Sequence, residues 1–345
     1  MFYFSESGQI PDSAAVAQSA DVPRLEQPEW LLPWIFLVLL NSLQLVLLPR
    51  TSVLEGCGQL QTINRFRFWQ SVLASFAVWA TLSLGFGLWT LAASALVRVL
   101  GEGYVSLYFY RSFFSSIHQS QGDAEIDWQA EVLPLQWRIA VQGVLHWFAT
   151  HLAGLVLFHF HGEIIGGQFG LMWTILTAIQ GASMTWVDTR RPEFGRLIAQ
   201  HDYCQLDRLF FRAAGISMLL LTAGGSMFVT GVWVLNEASG EVLQRIAARL
   251  PELKAVCLFT LAFVALQPAL CVNIYVRAFK RDPFLIPAII SSVSVALLVV
   301  VMGRSYSVAG AGTGYLIGIG LIQTPLWLTV WARLRSARQV ESEIQ

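Results

Sequence analysis

The chain has 345 residues, of which 55% are hydrophobic and 13% charged, whereas an average soluble domain is roughly 45–50% apolar and about 25% charged. So few charges cannot coat a water-facing surface, which excludes a water-soluble globule. Lys and Arg together number 22 and Asp and Glu also number 22, so no net field points to nucleic acid or to an acidic partner protein.

Residues 1–28 are polar, contain Pro11, Pro23 and Pro28, and lack the basic start, apolar run and small-residue cleavage site of a signal peptide. The first apolar segment is therefore expected to remain in the protein. A helix needs roughly 20 apolar residues to cross the hydrocarbon core, and runs of that kind recur near 29–48, 68–84, 86–110, 136–158, 165–187, 211–234, 255–276, 284–302 and 309–332. The expected fold is all-α, a polytopic integral membrane helix bundle with nine spans. The second and third spans meet at Gly85-Phe86-Gly87, where glycines permit a tight turn. Cys57, Cys204, Cys257 and Cys271 show no CxxC or Cys/His spacing, so free thiols are expected.

Alternating the loops between two sides separates the cations. One side collects 16 Lys and Arg, from Arg50, Arg65, Arg67 and Arg111 through the cluster Arg190–Arg212 to Arg338; the other holds 5, and Arg98 lies within a span. The richer side is expected to be cytoplasmic, which puts the C-terminus inside and, with nine spans, the N-terminus outside. Trp30, Trp34, Trp69, Trp89, Trp137, Trp186, Trp233, Trp327 and Trp331 mostly fall near span ends, where indole rings prefer the interface. Residues 65–111 and 280–333 also share one plan: a basic start, an apolar helix, glycines at a turn, and a second helix ending in arginine. Such an echo is expected of a parallel repeat.

Polar groups inside the spans are the candidate site residues, because lipid penalises each of them. Arg98 lies mid-span with Glu102 one turn away. The two either form a local i,i+4 pair or offer a cationic contact to a phosphate headgroup. Arg138, Gln142 and His146 recur every fourth residue and form one polar stripe on the fourth span, extended by Thr150. The stripe faces either a hydrated cavity or a neighbouring helix, with His146 possible as a packed neutral ring. Gln168, Gln180 and Ser183 share an arc on the next span, and Asn273 with Arg277 reads as an interface anchor. His159, His161 and Glu163 lack the further ligands of a defined metal site. Gly101-Glu102-Gly103 and Gly310-Ala311-Gly312-Thr313-Gly314 follow no strand and lack a Lys-Ser/Thr, so they suit close helix packing better than a nucleotide. No metal or cofactor is expected, and no GxSxG, HExxH or kinase set is present.

Several segments are similar to membrane proteins of bacterial polysaccharide gene clusters. They are Glu131-Val132-Leu133-Pro134-Leu135-Gln136-Trp137-Arg138, Gly166-Gly167-Gln168-Phe169-Gly170-Leu171, Arg191-Pro192-Glu193-Phe194-Gly195-Arg196 and Leu206-Asp207-Arg208-Leu209-Phe210-Phe211-Arg212. Arg277-Ala278-Phe279-Lys280-Arg281-Asp282-Pro283-Phe284 with Gly310-Ala311-Gly312 resembles the last two helices of polysaccharide flippases of the multidrug/oligosaccharidyl-lipid/polysaccharide exporter superfamily. The resemblance covers about residues 29–335 and implies two six-helix lobes. Aligned from the C-terminus, residues 29–110 supply three helices of a first lobe, 111–135 a cytoplasmic linker, 136–335 a six-helix second lobe, and 336–345 a polar tail. The first three helices of such a protein are then absent.

What this resemblance implies is the flipping of an undecaprenyl-pyrophosphate-linked glycan across the cytoplasmic membrane by alternating access, not an enzymatic reaction. Arg138 would hold pyrophosphate and Gln142, His146, Gln168 and Gln180 the sugar hydroxyls. Membrane lipid is the surrounding partner, and glycan polymerases or glycosyltransferases are candidate protein partners. The alternatives are a membrane-embedded glycan polymerase or acyltransferase, and a non-transporting fragment or scaffold subunit. The longest outside loop, about 235–254, pairs Glu237, Glu241 and Glu252 with Arg245, Arg249 and Lys254, which reads as a solvated amphipathic helix.

Overall fold

The structure is a computed structural model that describes residues 30–119, 127–279 and 282–344. All regular structure among the described residues is helical. Its contacts divide the chain into two compact units, Met1–Asp123 and Ala124–Gln345.

The first unit is built on α1 (Leu31–Gly56), α2 (Leu60–Ser83) and α3 (Trp89–Gly103), followed by a π-helical turn at Tyr104–Phe109 and the short α4 (Arg111–Gln119). The α2–α3 turn uses two left-handed glycines, Gly85 at φ 77° and Gly87 at φ 51°, a conformation that costs other residues steric energy. Its core is small, centred on Leu54, Ile63 and Val105. Across the most apolar part of α1 only 11% of residues are buried within the protein. That outward apolar surface is what a helix solvated by hydrocarbon presents.

The second unit comprises α5 (Leu133–Asp188), α6 (Arg191–Ala199), α7 (Tyr203–Glu237), α8 (Glu241–Ala247), α9 (Leu253–Arg277), α10 (Leu285–Ile317) and α11 (Thr324–Ile344), with π-helical turns at Trp128–Val132 and Gly318–Gln323. Over its apolar window α9 is 61% buried and forms the centre of this unit. Phe169, Phe259, Phe263 and Tyr315 gather around Trp173, with ring centroids 5.1–6.1 Å from it.

Among the described residues five helical stretches are long and apolar enough to cross a membrane: Leu31–Gly56, Gln136–Ala199, Tyr203–Glu237, Leu253–Arg277 and Leu285–Ser336. Two of these run to 64 and 52 residues, far beyond the roughly 20 a bilayer requires, because each contains a reversal. α5 breaks at Gly162, with φ 87° and ψ 179°. Beyond that point the Cβ position of Gly166 lies 3.2 Å from the Phe158 side chain, and that of Gly154 lies 3.5 Å from Phe169. Residues equidistant from the break thus face each other, so the two arms of α5 form an antiparallel hairpin. α10 reverses likewise at Tyr306 and Ser307, the latter at φ 54°. Here Gly303 faces Ala311 and Gly314 faces Leu298.

Gly310 and Gly314 of the second arm of α10, and Gly318 at the start of the π-helical turn that continues it, return along one face. A Cβ on Gly314 would sit 2.6 Å from the Leu298 carbonyl oxygen, and one on Gly318 would sit 2.6 Å from the Val295 side chain. Gly312 points the other way, where a Cβ would meet Leu258 and Phe259 of α9 at 3.1–3.2 Å. The glycine run serves close helix packing, and no phosphate cradle is formed by it.

Candidate functional site

Four helical segments of the second unit each contribute a polar pair or a polar turn to one cavity of about 170 Å³. The first arm of α5 supplies Gln142 and His146, one turn apart and so on one face. The last turns of α9 supply Asn273 and Arg277 at the same spacing, and the start of α10 supplies Ser291 and Ser292. Gln323, at the end of the π-helical turn, and Trp327, one turn into α11, close the wall. Ile139, Gly143, Leu270 and Ala288 fill the gaps between them.

Arg277 organises the polar contacts. Its Nη2 donates to Gln142 Oε1 at 3.1 Å and lies 3.5 Å from Asp282 Oδ2. The Asp282 side chain is fully buried. Its other oxygen accepts from the Phe284 backbone N–H at 3.1 Å, an Asx turn that leads into α10 and fixes the carboxylate beside the guanidinium. Four polar atoms of the cavity wall remain buried without a partner among the described residues: Gln142 Nε2, Asn273 Oδ1, Arg277 Nε and Trp327 Nε1. A buried polar group left unpaired costs about 1–3 kcal/mol. Several such groups converging on one hollow are what a site for a polar ligand or for ordered water looks like.

Nothing in comparisons with protein-family models, curated proteins or solved structures matches the chain. The cavity's own chemistry therefore carries the functional reading.

Of the residues singled out from sequence, Gln142 and His146 line this cavity. Arg138 stands exposed one turn before Gln142, without a partner among the described residues and off the cavity wall. Gln168 is engaged elsewhere, its Nε2 donating to the Ala248 carbonyl at 2.9 Å. Gln180 is half-buried, and its carbonyl accepts from Ser183. Ser183 in turn belongs to a buried polar knot: Gln267 Nε2 donates to Ser183 Oγ at 3.0 Å and to Ser217 Oγ at 2.7 Å, and Ser217 donates to the Ser183 carbonyl at 2.8 Å. That knot ties α5, α7 and α9 together.

Arg98 and Glu102 lie in the first unit, and their expected i,i+4 pair is not formed. Glu102 is buried 3.8 Å from Arg67 of α2, whose Nη1 contacts Glu55 of α1 at 2.6 Å. Arg98 is exposed, and its carbonyl accepts from Gln70 Nε2 at 2.6 Å. The correction has a physical reason: an arginine four residues before a glutamate is the weaker order for a helical pair, and Arg67 reaches Glu102 from the adjacent helix. His161 Nε2 donates to the Gly303 carbonyl at 2.8 Å, linking the α5 and α10 turns. Among the described residues no three His, Cys, Asp or Glu side chains gather as a metal site.

Asn273, Arg277, Asp282, Ser291, Ser292, Gln323 and Trp327 were not marked as site residues by the sequence. The Asn273–Arg277 spacing carried the signal, but an arginine at a span end also suits the interface, and only the packing of α9 at the centre turns it inward.

A second charged cluster is structural. The Asp207 carboxylate accepts from the Tyr275 hydroxyl, and from Arg335 Nε at 2.9 Å and Nη2 at 2.8 Å. The Arg335 guanidinium also lies 5.1 Å from the Phe211 ring and 5.5 Å from Trp331. It joins α7, α9 and α11.

Proposed function

We propose that this protein carries a lipid-linked glycan across a membrane, with the Gln142–Asn273–Arg277–Gln323 cavity as a polar station for the sugar or its phosphate. The observation that supports the reading is the cavity itself, where unpartnered donors and acceptors from α5, α9 and α11 converge within an otherwise apolar bundle. Polar and ionisable groups inside a span are costly and mark substrate paths. The amide, hydroxyl and indole groups match sugar hydroxyls, while the guanidinium matches an anionic linkage. The resemblance of the Arg277–Phe284 and Gly310–Gly312 segments to polysaccharide flippases points the same way.

On this reading the chain crosses the membrane nine times: α1, α2, α3 with its π-helical turn, both arms of α5, α7, α9, the first arm of α10, and the run from its second arm through α11. The arginine-rich ends face the cytoplasm of a bacterial cell. A cysteine at position 240, in a variant lacking the native thiols, is then expected to react with an impermeant maleimide from outside intact cells, and one at 193 only after permeabilisation. The reverse pattern inverts the topology.

Reconstitution tests the function. Vesicles containing the purified chain are expected to move a fluorescent prenyl-pyrophosphate glycan between leaflets at least tenfold faster than protein-free vesicles. A glycosidase confined outside reads the exposed fraction. A rate equal to that of empty vesicles removes the reading.

A further inference from the structure

The first unit carries a groove that the proposed transport does not use. It has a volume of about 300 Å³ and lies between the start of α2 and the π-helical turn that extends α3. Its walls are aromatic and apolar: Phe66, Trp69, Tyr104, Val105, Phe109 and Tyr110. The π-helical turn helps shape it, because an i→i+5 turn widens the helix and changes the direction of the side chains that follow, a feature frequent at functional sites. Tyr104 stacks on Phe66, with ring centroids 6.4 Å apart and planes within 17°, and on Tyr108 at 5.5 Å.

At one edge the groove has Thr62 and Arg65. Arg65 is exposed and without a partner among the described residues, whereas its neighbour Arg67 is committed to Glu55 and Glu102. Among the described residues no carboxylate lines the groove. Charge and shape thus call for an elongated apolar molecule with an anion at one end. Arg111, also exposed, follows the turn at the same end of the helix pair and adds to the positive field.

We infer that this groove binds one anionic phospholipid, with an acyl chain along Phe66, Trp69, Tyr104 and Phe109 and the phosphate on Arg65. The apolar wall excludes a free phosphate ion as the occupant, and the unpaired guanidinium favours an anionic headgroup over a zwitterionic one. Basic pockets beside membrane helices hold acidic headgroups through the same chemistry.

The test is native mass spectrometry of the full chain released from nanodiscs of equal phosphatidylglycerol and phosphatidylcholine. The expected result is a retained phosphatidylglycerol adduct, favoured over phosphatidylcholine about fivefold, the effect of one cation near the surface. Arg65→Gln is expected to erase the preference and Arg65→Lys to keep most of it. Thr62→Trp, which fills the groove but leaves the charge, is expected to lose adducts of both lipids. Each variant is checked for unchanged elution on size exclusion. Equal retention of the two lipids by the native chain, an undiminished preference in Arg65→Gln, or displacement of the adduct by inorganic phosphate alone would overturn the inference. So would a co-purifying polypeptide, in place of lipid, that is lost in Thr62→Trp. None of these outcomes depends on transport.

Discussion

Replacing Gly314 with alanine is expected to destabilise the protein by about 3 kcal/mol, the upper end of the usual penalty for overpacking. The second arm of α10 lies so close to the first that a Cβ at Gly314 would meet the Leu298 carbonyl oxygen at 2.6 Å, its carbon at 2.8 Å and the Val299 nitrogen at 3.1 Å. All three are backbone atoms, so no rotamer change relieves the clash and the arms must separate. Separation would in turn loosen Gly318 against Val295 and Gly312 against Phe259, where the same arm touches both neighbours. Gly170→Ala is the control. A Cβ there meets nothing within 4 Å, and alanine gains up to about 1 kcal/mol of helix propensity over glycine. Thermal midpoints from size-exclusion profiles in detergent should fall sharply for Gly314→Ala and stay level or rise for Gly170→Ala. Equal midpoints for the two variants would mean that the hairpin arms do not pack this closely.

The glycines also show how much of the fold the sequence displayed. Hydropathy marked long apolar runs, and the glycine pair at 85 and 87 marked the α2–α3 turn, since a short polar-poor link between two runs needs left-handed residues. The reversal at Gly162 was bracketed in the same way, because the apolar runs end at 158 and resume at 165 with His159, His161 and Glu163 between them; the structure adds the positive-φ break at Gly162 itself. The site was less legible than the fold. Gln142 and His146 stood out because amides and imidazoles are conspicuous in an apolar span. Arg277 did not, because its i,i+4 neighbour Asn273 and its place at a span end are equally those of an interfacial anchor. The depth of a side chain in a bundle depends on which helix is central, and composition does not rank helices in that way. Arg98 and Glu102 illustrate the converse. Spacing along one helix suggested a pair, and the adjacent α2 supplied a better partner in Arg67.

Arg277 and Arg138 separate two routes to the same function. If the cavity is the station for the glycan, Arg277→Gln should lower the vesicle translocation rate roughly tenfold to a hundredfold, the equivalent of losing a charge-assisted hydrogen bond of about 1.5–3 kcal/mol. The variant leaves Asp282 buried without its cation, so its folding must be checked against Asp282→Asn. That second variant keeps an amide oxygen for the Phe284 N–H and releases Arg277 from its ion pair. Arg277→Lys should recover only part of the rate, because an ammonium could replace the Nη2 that meets both Gln142 and Asp282 but not the remaining guanidinium donors, among them the unpartnered Nε, that could grip an anion bidentately. Arg138→Gln should stay within about fivefold of the native chain, since a surface charge of this kind contributes at most about 1 kcal/mol. The opposite ranking, with Arg138→Gln inactive and Arg277→Gln unimpaired, would move the anion contact to the exposed start of α5. The hollow between α5, α9 and α10 would then be left as a hydrated packing defect.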